Sequence, residues 1–513
     1  MSNAIKDVVI LGGGAAGWIS AGLLAKKLNP SKTSATITLI ESKTIGIIGV
    51  GEGTWPTMRS TLKKIGICEN DLITQCDATF KQASKFVSWQ TKSKQDFYYH
   101  PFNSPKASTQ IDLSPYWHLN NLNQISFSKA VSCQQKVCEN GLAPKAISTP
   151  QYKDVTNYGY HLDATKFCEL LKKHCTEKLN VQYVQDDMKD VVKDKTGNIK
   201  SLLCEENGEI RGDFFVDCSG FKSLLLGEAL NVPFINKGDQ LFCDSALVLQ
   251  TPYPEEDSPI PCFTQSTAQD SGWIWDIGLS SRRGVGYVYS SRHTSDEKAE
   301  QTLKNYLGGK AEHLTPRKII FKTGHRQVFW KKNCVAIGLS AGFLEPLEAS
   351  ALMFIETSAA MLADQFPTNT SIIKQRADYF NEAFTQRWNG VIDFLKLHYA
   401  ISKRDEPFWQ DNRNPESMSA SLKNKLGLWE YSAPSEYDFS SKYEVFRAAS
   451  YQFVLYGMGF KTDFATSSHL YNESDIAEKV MIMREKEEVN LCANLPTHRE
   501  LINSVKQYGF SRI

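Results

Sequence analysis

The tightest constraint on the fold lies within the first twenty residues, where the chain reads Asp7-Val-Val-Ile-Leu-Gly12-Gly13-Gly14-Ala15-Ala16-Gly17-Trp18. An apolar run ends in glycines, and an alanine-rich apolar segment follows at once. That order predicts strand, tight turn, helix. The spacing Gly12-x-Gly14-x-x-Gly17 fits a dinucleotide fingerprint. Gly12 permits the turn, Gly14 lets the backbone approach a pyrophosphate, and Gly17 lets helix and strand pack closely. Ala15 and Ala16 open the helix, whose free N–H groups and dipole attract phosphate. A second β-rich run, Thr36 to Ile40, ends at Glu41, where a carboxylate can bond ribose hydroxyls. A bare glycine pattern is weak and also describes a ligand-free turn. The strand before it, the helix after it and the acid at the next strand end favour a bound dinucleotide.

Bulk properties narrow the remaining classes. The 513 residues carry 58 basic and 57 acidic side chains, so nothing draws the chain to nucleic acid or to an anionic membrane. No apolar run reaches transmembrane length, and Asp7 with the glycine turn interrupts any signal peptide. The twelve cysteines form no CxxC pair and no zinc spacing, so no metal site is expected. Free, mostly buried thiols point to a reducing, cytoplasmic setting.

Further along, Ile45 to Pro56 holds Gly46, Gly49, Gly51 and Gly53, a backbone-rich loop suited to lie over a ligand. Residues Ser60 to Ser84 read as helix, broken near Gly66, and Phe86 to Gln90 as strand. In this reading Lys81 and Lys85 are two solvated lysines on a helix face. Residues 97–150 are aromatic and turn-rich, and Asp163 caps a helix from Ala164 to Lys178. Phe214 to Cys218 is a strand ending in a Ser219-Gly220 turn. The middle, Leu241 to Ser291, alternates as β structure and includes Trp273 and Trp275. Asn333 to Ser350 is again strand and glycine turn, with Gly338-Leu339 in the turn and a helix from Ala351 to Leu362. That helix offers N–H donors for an anion beside Glu348 and Ser350. Beyond Lys374 the pattern is helical, except for a polar, irregular stretch at 410–445. A late helix from Ile476 to Val489 is charged and peripheral.

Several separated motifs together resemble the flavin-dependent tryptophan halogenases: Gly12 to Trp18; Gly49-Val-Gly51-Glu52-Gly53-Thr54-Trp55-Pro56; Phe80-Lys81-x-x-x-Lys85-Phe86-x-x-Trp89; Gly272-Trp273-Ile274-Trp275-Asp276-Ile277; and Phe343-x-Glu345-Pro346-Leu347-Glu348. The likeness runs from residue 7 to about 460. It implies an α/β fold with a Rossmann-like FAD module and mixed sheets, similar to flavin monooxygenases, followed by a largely helical substrate module. The module boundaries are expected at 1–95 and 151–395 for FAD, and at 96–150 and 396–513 for substrate. FAD contacts are expected from Gly12, Gly14, Ala15, Ala16, Gly17, Glu41, Gly49, Gly51, Gly338 and Leu339.

The resemblance also implies the chemistry. A separate reductase supplies FADH2, and O2 and a halide (chloride, bromide or iodide) give hypohalous acid. The halide sits at the amides of Ser350 and Ala351. Lys81 receives the oxidant, and Glu348 moves protons. An electron-rich indole, pyrrole or phenol is then halogenated. His100 and Phe102 are expected to line the substrate pocket. Trp273 and Trp275 either wall it off from the flavin or are strand core.

Two departures matter. Gly278 replaces the proline that ends the family's GWxWxIP motif, and Ala349-Ser350-Ala351 replaces Ser-Thr-Gly. The family's tryptophan-binding pattern is not evident at 410–450, so free tryptophan does not carry over as substrate. The alternatives are an FAD-dependent aromatic monooxygenase, although hydroxylases show Gly-Asp where this chain has Gly338-Leu339, and a non-catalytic flavin-binding protein.

Overall fold

The computed structural model describes residues 4–30, 35–46, 51–119, 124–309, 313–439 and 441–511. The chain divides into two units, each built from three separated stretches. Met1–Ala78, Leu162–Lys237 and Lys322–Trp388 form the first; Thr79–His161, Gly238–Phe321 and Asn389–Ile513 form the second. Residues 79–95, 151–161, 238–321 and 389–395, expected with the cofactor module, group with the second unit. One cause is that Ala83–Val87 pairs in parallel with Phe263–Gln269.

The first unit is built on the strand Asp7–Leu11. It lies within a six-stranded sheet in the order Trp330–Lys331, Cys334–Ala336, Phe214–Asp217, Asp7–Leu11, Thr36–Glu41, Gln182–Gln185. All pairs are parallel except the outermost, Trp330–Lys331 with Cys334–Ala336. A parallel sheet is covered on both faces, which is why this strand is apolar without alternation: Val8, Val9 and Ile10 are at most 1% exposed. The helix Ala15–Leu28 packs on the helices Ala164–Leu179 and Ser350–Asp364. Its small residues permit close approach. A methyl added at Gly22 would lie 3.0 Å from Ile65, in the helix Thr57–Ile65. Asp163 caps the helix Ala164–Leu179 as expected, accepting from the N–H groups of Thr165 at 3.0 Å and Lys166 at 3.1 Å.

The second unit holds a seven-stranded sheet in the order Arg317–Ile320, Ser245–Pro252, Arg282–Tyr289, Gly272–Gly278, Phe263–Gln269, Ala83–Val87, Phe97–Pro101. The expected alternation at 272–278 and 284–291 belongs to two adjacent antiparallel strands of it. The C-terminal part is largely helical, as expected.

Two local readings change. The helix expected to reach Ser84 stops at Gln75, after Thr57–Ile65 and Glu69–Gln75, with Gly66 breaking it in a left-handed conformation. Asp77, at φ 48°, turns the chain, and Thr79–Lys81 and Ala83–Val87 are strands. The residues there, Thr79, Phe80, Phe86 and Val87, are strand formers, and pairing to Gly159–Leu162 outweighs the helical spacing of the two lysines. Residues 410–445 are not irregular throughout. Pro407 opens the helix Pro407–Arg413, and Ser419 caps Ala420–Trp429 by accepting from the Leu422 N–H at 2.9 Å. Leu422 and Trp429, seven apart, are both buried.

The late helix is Ser474–Asn494, with Ala477, Val480, Arg484 and Leu491 buried on one stripe of an otherwise solvated surface. Among the described residues no helix is long and apolar enough to cross a membrane. All twelve cysteines are free, nine of them buried.

Candidate active site

The three fingerprint glycines have distinct surroundings. Gly12 has φ +121°, and a Cβ there would sit 2.1 Å from the Cys218 carbonyl oxygen. A Cβ at Gly17 would sit 1.9 Å from the Gly12 carbonyl oxygen, so helix and turn touch through bare backbone. A Cβ at Gly14 would meet nothing within 4 Å. Gly14 is also the N-cap of Ala15–Leu28 and provides no side-chain cap. An open backbone beside uncapped first-turn N–H groups is a cradle for an anion such as a pyrophosphate. Glu41 lies over Gly13; its Oε2 accepts from Lys172 Nζ at 3.0 Å and Tyr183 OH at 2.7 Å, while Oε1 faces the Gly13 backbone. These residues fit a dinucleotide.

Asp217, at the end of a neighbouring strand, works differently from a ligand contact. Its carboxylate accepts from the backbone N–H groups of Ser219, Leu225 and Leu226 and from the Ser223 hydroxyl, fixing the turn after Gly220.

Gly338 adopts φ +79° and packs against Ala16, where a Cβ would come within 2.7 Å of the alanine methyl. Leu339 follows in the same short 3-10 turn. The chain then reaches Glu345 and Glu348, which are 1% and 4% exposed. Ala349 is left-handed at φ 53°, an unfavourable conformation for a residue with a Cβ, and it caps Ser350–Asp364 without a side-chain hydrogen bond. The helix therefore opens at Ser350 and Ala351 with uncapped amides. The indole N–H of Trp55 donates to the Glu348 carbonyl at 2.8 Å, so the residue after the glycine loop holds the start of this turn. Gly51 and Glu52 are described. Desolvation lifts the Glu52 carboxyl to about 7. Gly49 lies outside the described residues.

Lys81 belongs to the second unit. It is 1% exposed and pairs opposite Gly159, so no side chain stands across the ladder from it. Its Nζ lies 5.4 Å from the centre of the Phe102 ring. The backbone on both sides is pinned. Thr79 donates its hydroxyl to the Gly278 carbonyl at 2.5 Å, and the Phe80 N–H donates to His498 Nε2 at 2.9 Å. The Gln82 N–H donates to Cys262 O at 2.7 Å, and the Gln82 carbonyl accepts from Phe102 N–H at 3.0 Å. The Gln82 amide group donates to Leu142 O at 2.8 Å and accepts from Thr156 at 2.7 Å. Burial, with Lys81 and His498 nearby, holds His161 well below its usual pKa, and its Nε2 is bonded to Thr264 at 2.8 Å. Burial likewise lowers His498 to about 4, so a neutral imidazole receives the Phe80 proton. Lys85 is not solvated either: its ammonium lies 4.7 Å from the Phe97 ring centre, and burial lowers its pKa.

The other expected pocket residues are in the same unit. His100 is bonded to Ser450 at 3.1 Å and packs among Phe394, Phe446 and Phe453. Phe102 joins Lys81 directly, as above. Trp273 is fully buried against Trp89, and its indole N–H finds no acceptor among the described residues. Trp275 lies flat on the neighbouring strand, where a Cβ at Gly286 would overlap its ring at 2.1 Å. The cofactor residues with Glu348, Ser350 and Ala351 fall in the first unit; Lys81, His100, Phe102, Trp273 and Trp275 fall in the second.

Sequence reasoning misses Gln82, His161 and His498 around Lys81, and Glu356 in the helix after Glu348. None carries a local pattern.

Comparison with known proteins agrees with this geometry. The tryptophan halogenase family model matches residues 7–471. The crystal structure of a tryptophan halogenase from Shewanella frigidimarina NCIMB 400 is 49% identical, covers 99% of each chain and superposes with a TM-score of 0.95. BrvH, a flavin-dependent halogenase from Brevundimonas sp. BAL3, is 31% identical over 98% of this chain and 100% of its own, with a TM-score of 0.87. The tryptophan 6-halogenase ThaL of Streptomyces albogriseolus is 32% identical over 535 residues, 98% of this chain and 99% of that one. With its glycine cradle, its uncapped Ser350 helix and its buried Lys81, the chain belongs to the tryptophan halogenase family and is an FADH2-dependent halogenase acting on an aromatic substrate.

Proposed function

We propose that this enzyme halogenates an electron-rich ring of the indole, pyrrole or phenol type, with Lys81 guiding the oxidant and Glu348 handling protons. The observation that carries the reading is Lys81: a lysine 1% exposed, between residues held by six distant partners, Phe102, Leu142, Thr156, Cys262, Gly278 and His498. Burying an ammonium is costly, and such a residue is retained where its amine is used.

The first unit would hold FAD through Gly12, Gly14, Ala15, Ala16, Gly17, Glu41, Gly51, Gly338 and Leu339. When bound, reduced FAD supplies the electrons that let O2 and halide form hypohalous acid and water; a separate flavin reductase delivers it. The amides of Ser350 and Ala351 hold the halide, since an uncapped helix start favours an anion. The Lys81 amine donates a hydrogen bond to hypohalous acid, or takes up its halogen, and holds the electrophile against the ring. Glu348 accepts the proton lost as the ring regains aromaticity. His100 and Phe102 orient the ring, which decides the carbon attacked. Trp273 and Trp275 complete the aromatic lining.

The test is one assay with FAD, NADH, a flavin reductase and O2. Chloride, bromide and iodide are supplied separately against a panel of indoles and phenols that includes tryptophan. Products are read by mass spectrometry for the wild type and Lys81→Ala. Halogenated product from the wild type, none from Lys81→Ala, and equal FAD binding by both is the expected result. Near-normal turnover by Lys81→Ala would remove Lys81 from the mechanism, and hydroxylated product without halide would replace halogenation by oxygenation.

A further inference from the structure

We propose that Glu356 is a positioning residue for Glu348 and for the amides of Ser350 and Ala351: bonded to Thr61 and Thr57, it latches the helix Thr57–Ile65 to the helix Ser350–Asp364. This rests on the roles proposed above for Glu348 and the two amides.

Glu356 is 2% exposed. Thr61 donates its hydroxyl to the carboxyl group at 2.6 Å, and Thr57, one turn earlier on the same face, reaches it at 3.5 Å. The helix carrying these threonines begins directly after Trp55-Pro56, and the Trp55 carbonyl accepts from the Met58 N–H at 3.1 Å. Trp55 is therefore part of the same rigid piece, and its indole holds the Glu348 carbonyl at 2.8 Å. One piece thus grips the second helix at residue 356 and the turn that leads into it at residue 348. Between the two grips lies left-handed Ala349, which caps the helix without a side-chain bond. The conformation that aims Glu348 and exposes the amides is held from outside, through Trp55, and the Glu356 latch sets where Trp55 sits.

Desolvation lifts the Glu356 carboxyl to about 8, with the two threonine bonds acting in the opposite direction. Among the described residues no charged group offsets it. On the helix Thr57–Ile65, Arg59 bonds the Pro56 carbonyl and Lys63 and Lys64 are exposed. On Ala15–Leu28, Lys26 and Lys27 are exposed in the last turn, and Lys27 pairs with Asp364, the other acid of the Ser350–Asp364 helix. The short turn Gly338–Ser340 carries no charge. Ionisation therefore leaves a buried anion held by hydroxyls alone. It also places negative charge roughly 9 Å along the helix axis from the halide amides. Repulsion over that distance lowers halide affinity by about tenfold.

The experiment measures kcat and bromide KM from pH 6.5 to 9.5 for the holoenzyme of the wild type, Glu356→Gln, Thr61→Val and Glu348→Gln. In the wild type, bromide KM rises by about tenfold across pH 8. In Glu356→Gln, which keeps the hydrogen bonds but cannot ionise, the rise across pH 8 is lost, and any change near pH 7 that remains belongs to Glu52, whose carboxyl desolvation lifts to about 7. Thr61→Val removes a bond that favours the ionised form, so its rise moves to higher pH; this variant also serves if Glu356→Gln does not fold. Identical pH profiles for the wild type and both latch variants, or a uniform loss of activity at every pH, would overturn the proposal. If Glu348→Gln keeps wild-type turnover, the reading of Glu348 falls and this one with it. If Glu348→Gln is inactive while the latch variants follow the wild-type profile, only the Glu356 proposal falls.

Discussion

The Glu356→Gln substitution also makes a prediction about stability that is independent of catalysis. Folding lifts this carboxyl from its ordinary 4.5 to about 8. Below pH 4.5 both folded and unfolded chains carry the proton, so the group contributes no pH dependence. Between the two values the unfolded chain has lost its proton and the folded chain has kept it, so stability falls as pH rises; above about 8 the loss is complete. Each pH unit inside that window is ~1.4 kcal/mol, which bounds the total at about 5 kcal/mol. Water entering around a carboxylate relaxes part of this, leaving about 2–5 kcal/mol. Glutamine has nearly the same shape, bonds the same threonines and does not titrate. The gap in stability between Glu356→Gln and the wild type should therefore widen in favour of the variant from pH 5 to pH 9 by that amount. Urea unfolding followed by tryptophan fluorescence at pH 5, 7 and 9 measures the gap, and every other titrating group cancels in the difference. A gap that is constant across the range would refute the assignment of a buried, proton-bearing Glu356.

The fingerprint glycines separate binding from stability. Gly17→Ala drives a methyl into the Gly12 carbonyl and should lower the melting temperature by the equivalent of about 1–3 kcal/mol. Gly14→Ala meets no atom, so it should melt near the wild-type temperature yet bind FAD more weakly, as read by quenching of flavin fluorescence. Equal FAD affinity in Gly14→Ala and the wild type would show that no pyrophosphate lies there. Glu348→Gln should cost roughly two to four decades in halogenation rate with FAD binding unchanged, and a loss under threefold would sink its role. The methyl of Ala351, where the family has glycine, should shift preference toward bromide and iodide; a clear chloride preference in a competition assay would reverse that expectation.

The first βαβ unit was fully legible from sequence because its determinants are local. Gly17 answers to the Gly12 carbonyl five residues before it, Gly14 to an open face, and Glu41 ends the very next strand; only the contact of Gly12 with Cys218 is distant, and there the left-handed turn already calls for glycine. The cap at Asp163 was legible for the same reason. Lys81 was not. Its four-residue spacing from Lys85 reads as a solvated helix face, whereas the true determinants are Gln82 bonded to Leu142 and Thr156, Phe80 bonded to His498, and Thr79 bonded to Gly278. These partners lie up to 418 residues away, and no window over 79–87 contains them. Only the resemblance to a family, which carries tertiary constraint in compressed form, pointed to that lysine. The same limit explains the helices within 407–429. Their apolar face is thin, and Ser419 and Pro407 supply the start signals that polarity obscured.

The two departures from the family pattern can be weighed in the same way. At Gly278 the backbone carbonyl is what the site uses, since it receives the Thr79 hydroxyl beside Lys81. A Cβ there would fall within 2.8 to 3.0 Å of Tyr253, Ile260 and Pro261, so neighbouring side chains already fill the space a proline ring would need. The missing proline is thus compensated in packing and leaves the Lys81 anchor intact. At Ala349-Ser350-Ala351 the proposed halide contacts are backbone amides, and left-handed Ala349 delivers them without any side chain. The change falls on side chains while the donors are backbone, so binding of an anion should survive and only its size limit should move. A measured halide preference therefore reports on the Ala351 methyl, whereas loss of halide dependence altogether would implicate the backbone turn and, with it, the Trp55 bond that holds the turn in place.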